Sequence, residues 1–118
     1  MHNSPLTVVA VIKAKAGCEE KLKQALLDLI DPTRAEFGCL QYDLHQGQED
    51  PRLFIFYENW KDRAAVEAHF ESSHLKAMQA AASGWLAEPV QIHLMSGLNP
   101  SQKINPEKKR GGSLHAGS

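Results

Sequence analysis

The chain has 118 residues, enough for one domain, and 42% of them are hydrophobic, enough for a packed core. Its formal charge of −1 is uneven: Lys103, Lys108, Lys109 and Arg110 against Glu107 put +3 on residues 97–118, leaving −4 on residues 1–96. That acidic body argues against general nucleic-acid binding, and no apolar stretch approaches the roughly 20 residues that span a membrane.

The N-terminus MHNSPLTVVAVIKAKAG lacks the basic start and cleavage site of a signal peptide. Cys18 and Cys39 form neither CxxC nor zinc spacing. They are expected as free thiols in a reducing cytoplasm.

Leu6–Ala14 is β-branched and apolar on both faces, which predicts a buried strand. After the turn at AKAGCEE, Leu22, Ala25, Leu26, Leu29 and Ile30 form one helical stripe. Thr33 and Phe37 continue it through Asp31-Pro32, which reads either as an N-cap with Pro at the first helical position or as a kink, until Gly38 ends it. CLQYDLHQ then alternates, with Leu40, Tyr42 and Leu44 on one side and Cys39, Gln41, Asp43 and His45 on the other. GQEDPR is a turn, and LFIFYENW completes a hairpin. Asp62 caps a helix whose stripe is Ala65, Val66, His69 and Phe70. Ser72-Ser73 breaks it and caps a further helix carrying Leu75, Met78, Ala82 and Trp85. Pro89 precedes a last strand, VQIHLM. The order β-α-β-β-α-β is the ferredoxin-like α+β plan, with an antiparallel sheet. Residues 5–96 are expected to form this domain and residues 97–118 a loose basic tail.

In that plan helices cover one sheet face only. Leu6–Ile12 and Leu53–Tyr57 are nevertheless apolar on both faces. Burying apolar area is worth roughly 25 cal/mol per Å², so the open face is expected to meet a second copy in a two-fold homodimer. His45 and His93, opposite their strands' Leu and Val/Ile faces, fall at that seam. The alternative is a solvent face that tolerates a few apolar residues.

Strand alternation puts Phe54, Phe56, Glu58 and Trp60 on one face, and the helical stripe aims His69 and Phe70 at the sheet. Two independent periodicities thus bring Glu58, Trp60 and His69 toward one apolar cavity. His74 follows at the next helix start. Each has a plainer reading: Glu58 as an ion pair at the sheet end, Trp60 and His69 as core, His74 as a solvated helix end. His69 and His74 lie five apart across a break, whereas a metal-binding helical pair uses i and i+4. No metal is expected. Cys18 at a helix start is expected to be unreactive. No GxGxxG, P-loop or GxSxG occurs, so nothing points to a nucleotide, flavin or serine nucleophile.

From Glu36 to Met78 the chain resembles the antibiotic biosynthesis monooxygenase family of dimeric α+β barrels, especially its small quinol monooxygenases. The matching elements are Gly38-Cys39-Leu40, the Asp50-Pro51 turn, Glu58-x-Trp60, Ala64-Ala65 and the spaced His69 and His74. The resemblance extends over about residues 5–96 and implies that Trp60 faces a pocket between sheet and helices. It implies oxygenation of a small aromatic substrate by O₂ without a cofactor. A deprotonated quinol or phenol reacts with O₂ itself, so the protein supplies a base, orientation and a dry pocket. On this reading His69, Glu58 and His74 are catalytic, while Trp60, Phe56, Phe54 and Phe70 bind substrate. An isomerase or a non-catalytic, stress-associated ligand-binding dimer has the same parts. Two departures matter. The branch acting on large tricyclic phenols has an Asn where this chain has Phe56. The haem-degrading branch has an axial His where this chain has Gln79.

Overall fold

A computed structural model describes residues 5–100. Eight elements follow in chain order: β1 (Leu6–Lys13), α1 (Glu19–Leu27), α2 (Ile30–Arg34), β2 (Cys39–Gln46), β3 (Leu53–Trp60), α3 (Arg63–Phe70), α4 (Ser73–Ala82) and β4 (Gln91–Met95). The strands form one antiparallel sheet in the order β2-β3-β1-β4, the ferredoxin-like arrangement. The expected tail lies, from residue 101 on, outside the described residues.

Pairing register decides which side chains meet the helices. Val8 stands opposite Glu58, Ala10 opposite Phe56 and Ile12 opposite Phe54. Directly opposed residues share a face, so all six turn toward the helices, and the five apolar ones pack with Leu22, Leu26, Leu29, Val66 and Leu75 into the core. The other face carries Val9, Val11, Ile55 and Tyr57 at the sheet centre. None of these four is buried, and Tyr57 is 41% exposed. His93 pairs with Val9 and His45 with Ile55, so both histidines lie on this open face.

Local chemistry explains most of the element ends. Gly17, at φ 88°, closes the turn after β1, with Cys18 N–H donating to Lys15 O at 2.9 Å. Asp62 Oδ1 accepts from Ala65 N–H at 2.9 Å and caps α3. Ser72 Oγ accepts from Leu75 N–H at 3.4 Å and caps α4.

Several expectations need correction. The first helical region is two helices with a break at Asp28-Leu29, and Pro32 sits within the first turn of α2. It is tolerated there because that N–H would have no helical partner. Asp31 is therefore no N-cap. Phe37 lies beyond α2 and is 91% exposed, so the stripe does not reach it. Leu40 does not join Tyr42 and Leu44. A bulge between Cys39 and Gln41 pairs Cys39 with Trp60 and leaves Leu40 62% exposed. Trp85 follows the end of α4 and packs on the core from a turn.

Candidate functional site

Between the sheet and the helices is a cavity of about 300 Å³. Ala10, Ile12, Phe56 and Ile92 line it from the strands, and Phe70, Leu75 and Met78 from the helices. Four polar residues reach its wall: Tyr42, Glu58, His69 and Gln79. An apolar chamber with a few converging polar groups is the usual form of a small-molecule site.

Glu58 is on the cavity face of β3 because strand side chains alternate. It is only 3% exposed. Trp60, two residues on and fully buried, donates its Nε1–H to Glu58 Oε1 at 2.8 Å. Burial pushes the Glu58 carboxyl up to about 7; the Trp60 hydrogen bond opposes this, and the Glu36 charge adds to it. The group is therefore poised to gain or lose a proton near neutrality.

His69 projects from α3 and is 2% exposed. Its ring lies 4.7 Å from the Trp60 ring, centroid to centroid, and 5.6 Å from that of Tyr42. Burial lowers its pKa below the ordinary value, against the pull of the Glu36 carboxylate. Nδ1 lies 2.8 Å from Glu36 Oε2. An ionised carboxylate only accepts, so the neutral ring carries its proton on Nδ1 and keeps a lone pair on Nε2. His69 lines the cavity, and Nε2 is the ring nitrogen left without a hydrogen-bond partner among the described residues. Tyr42 stacks on Phe56 at 4.3 Å, and burial holds its hydroxyl protonated well above the usual tyrosine range.

The structure thus brings together Glu58, His69, Phe56 and Phe70 of the expected residues. Trp60 stands behind Glu58 rather than in the wall, and Phe54 is core. His74 is outside the cavity too, with Nε2 2.6 Å from Glu36 Oε2. The break at Glu71-Ser72 turns the two histidines toward one carboxylate, so the spacing of five does not keep them apart. Together Glu36, His69 and His74 present three potential metal-ligand atoms within 4.8 Å of one another.

Glu36 is the residue that sequence reasoning missed. It sits in the turn before β2, where a carboxylate is ordinary, and its partners are 33 and 38 positions later. Its place is set by Gly38, which packs against Ala65 of α3 with no room for a Cβ. Lys61 N–H donates to Gly38 O at 2.8 Å and Cys39 N–H to Glu36 O at 3.1 Å. Tyr42 was legible only as an apolar-face residue, and no periodic signal marked it for the cavity.

Among the described residues, no helix is long and apolar enough to cross a membrane. The chain is 28% identical over 92 residues to a protein of Synechocystis sp. named only as uncharacterized, covering 78% of this chain; it spans 63% of that relative's length. It is 31% identical over 96 residues to Putative monooxygenase Rv0793 of Mycobacterium tuberculosis, covering 81% of this chain and 94% of that one. The crystal structure of PA3566 from Pseudomonas aeruginosa is similar at a TM-score of 0.78 and 41% identity, covering 84% of this chain and 100% of that one. Residues 5–81 match the family described as Antibiotic biosynthesis monooxygenase. The chain belongs to the antibiotic biosynthesis monooxygenase family.

Proposed function

We propose that the chain is a cofactor-independent monooxygenase that oxidises a small quinol- or phenol-type substrate with O₂. The observation that carries this reading is the pairing of two proton-active groups, Glu58 and His69, on one apolar cavity of about 300 Å³. That volume suits a ring of one or two cycles, and Phe56, Phe70 and Met78 offer it apolar contact.

His69 Nε2 takes the hydroxyl proton, and Glu36 holds the ring and stabilises the imidazolium. The electron-rich anion then passes electrons to O₂, and a C–O bond forms at a ring carbon. The peroxide O–O bond breaks, one oxygen remaining as a ring carbonyl and the other leaving as water. All four electrons that reduce O₂ come from the substrate and its C–H bond, so no external reductant is needed. The leaving oxygen departs as water with two protons: the hydroxyl proton returned by His69, and the proton released from the ring C–H, which Glu58 relays through Oε2 while its Oε1 is tied to Trp60. The apolar lining of the cavity limits hydration of the anion.

The working form is a homodimer joined through the open sheet faces. Val9, Val11, Ile55 and Tyr57 support this, because they leave apolar area in water on the single chain. O₂ consumption by chelator-treated protein across a panel of hydroquinones and phenols tests the activity. Uptake above the uncatalysed rate with at least one of them is expected.

A further inference from the structure

We propose that Glu36, His69 and His74 form a binding site for a zinc-type divalent cation, and that an ion bound there switches off the base in the cavity. The site stands on its own geometry. Only the switch rests on the oxygenase reading.

Two imidazoles and one carboxylate are a common three-residue set for late first-row divalent ions, with a fourth position left to water. Here the donors are Glu36 Oε2, His69 Nδ1 and His74 Nε2, all within 4.8 Å of one another. The two histidine nitrogens lie 2.8 and 2.6 Å from the shared oxygen. Metal–ligand bonds of roughly 2.1 Å put tetrahedral donors about 3.4 Å apart. Each ring therefore has to withdraw from the carboxylate oxygen by about 0.6–0.8 Å, and the most widely spaced donors, up to 4.8 Å apart, have to close by up to about 1.4 Å.

The three residues come from three elements whose mutual placement is secured. The turn bearing Glu36 is seated on α3 by Gly38 against Ala65. Ser72 Oγ donates to His69 O at 2.7 Å while accepting from Leu75 N–H, which sets the angle between α3 and α4 and hence between the histidines. Glu36 and His74 are partly open to solvent, while His69 is buried. Glu36 and Ser72 line a surface cleft of about 530 Å³ separate from the catalytic cavity, and the His74 side chain is 24% exposed.

The consequence for the cavity follows from proton counting. Without an ion, Nδ1 of His69 carries the ring proton and Nε2 a lone pair. Coordination takes place through a lone pair on Nδ1, so the single proton of the neutral ring moves to Nε2. No proton is gained or lost overall. The cavity edge of His69 becomes a donor and ceases to be a base. A zinc-type ion is thus an inhibitor acting from behind the site, without entering the substrate chamber.

The test uses untagged full-length protein freed of metal by chelation. Co²⁺ is titrated with visible absorbance as the readout, and Zn²⁺ by calorimetry. One ion per chain is expected, with ligand-field bands for Co²⁺. Glu36→Gln and His74→Gln are each expected to weaken binding at least tenfold, with circular dichroism showing both variants folded. No saturable binding in the wild type, or binding that both variants leave unchanged, would overturn the site. These readouts need no substrate, so they are independent of the oxygenase reading. Where O₂ uptake is measurable, Zn²⁺ should abolish it with half-effect at the calorimetric dissociation constant; full uptake on the zinc-loaded protein would overturn the switch.

Discussion

Gly38 and Ala65 approach so closely that a Cβ on the glycine would collide with the alanine side chain. This contact holds the turn carrying Glu36 against the helix carrying His69. Gly38→Ala should cost about 1–3 kcal/mol, the usual range for overpacking. The double variant Gly38→Ala/Ala65→Gly should recover much of that loss, because the colliding carbon is removed. Urea unfolding of the two single variants and the double gives the coupling energy. Simple additivity would show that the contact does not govern the turn.

Glu58 makes stability depend on pH with a definite sign. Its folded-state pKa of about 7 exceeds the ordinary 4.5, so the folded chain holds a proton that the unfolded chain releases between these values. Its contribution is greatest below about pH 4.5 and is lost as pH rises through 7. Full expression of that difference is on the order of 3 kcal/mol. Glu58→Gln keeps an acceptor for Trp60 Nε1–H and removes the titration. It should be more stable than wild type at pH 8, by roughly 1–3 kcal/mol, and by much less at pH 5. Taking the difference between the two proteins cancels other groups, including His69, whose lowered pKa has the opposite sign. An equal difference at both pH values would contradict the burial account.

The open sheet face predicts self-association. At micromolar concentration the protein should sediment at twice the chain mass. Ile55→Lys places a charge at the centre of that face and should shift the equilibrium toward monomer. A wild-type monomer at tens of micromolar would remove the sheet-to-sheet arrangement.

Much of this fold was legible because it rests on local rules. Alternation along β3 placed Phe54, Phe56, Glu58 and Trp60 on one face, and all four are buried there. Asp62 and Ser72 carry the helix starts assigned to them. The failures arise where tertiary contact outweighs period. The bulge at Leu40 comes from pairing with β3, which no single strand records. Phe37 fits the helical stripe but falls after the helix has ended. Glu36 has no local signature at all, since its role depends on a turn folded onto α3 and on a helix break that brings His69 and His74 to it. The cavity was therefore half visible: its strand side and His69 could be read, and the carboxylate behind His69 could not.

The central claim is that His69 acts as a base in this cavity, and His69→Gln tests it most directly. Glutamine fills much of the buried space and can still donate to Glu36, so the fold should persist with a modest loss of stability. O₂ uptake per folded molecule, measured on metal-free protein with a hydroquinone that the wild type oxidises, should fall on the order of 10²–10⁴-fold. Undiminished uptake in a folded His69→Gln variant, or no uptake by the wild type with any hydroquinone or phenol tried, would contradict the account.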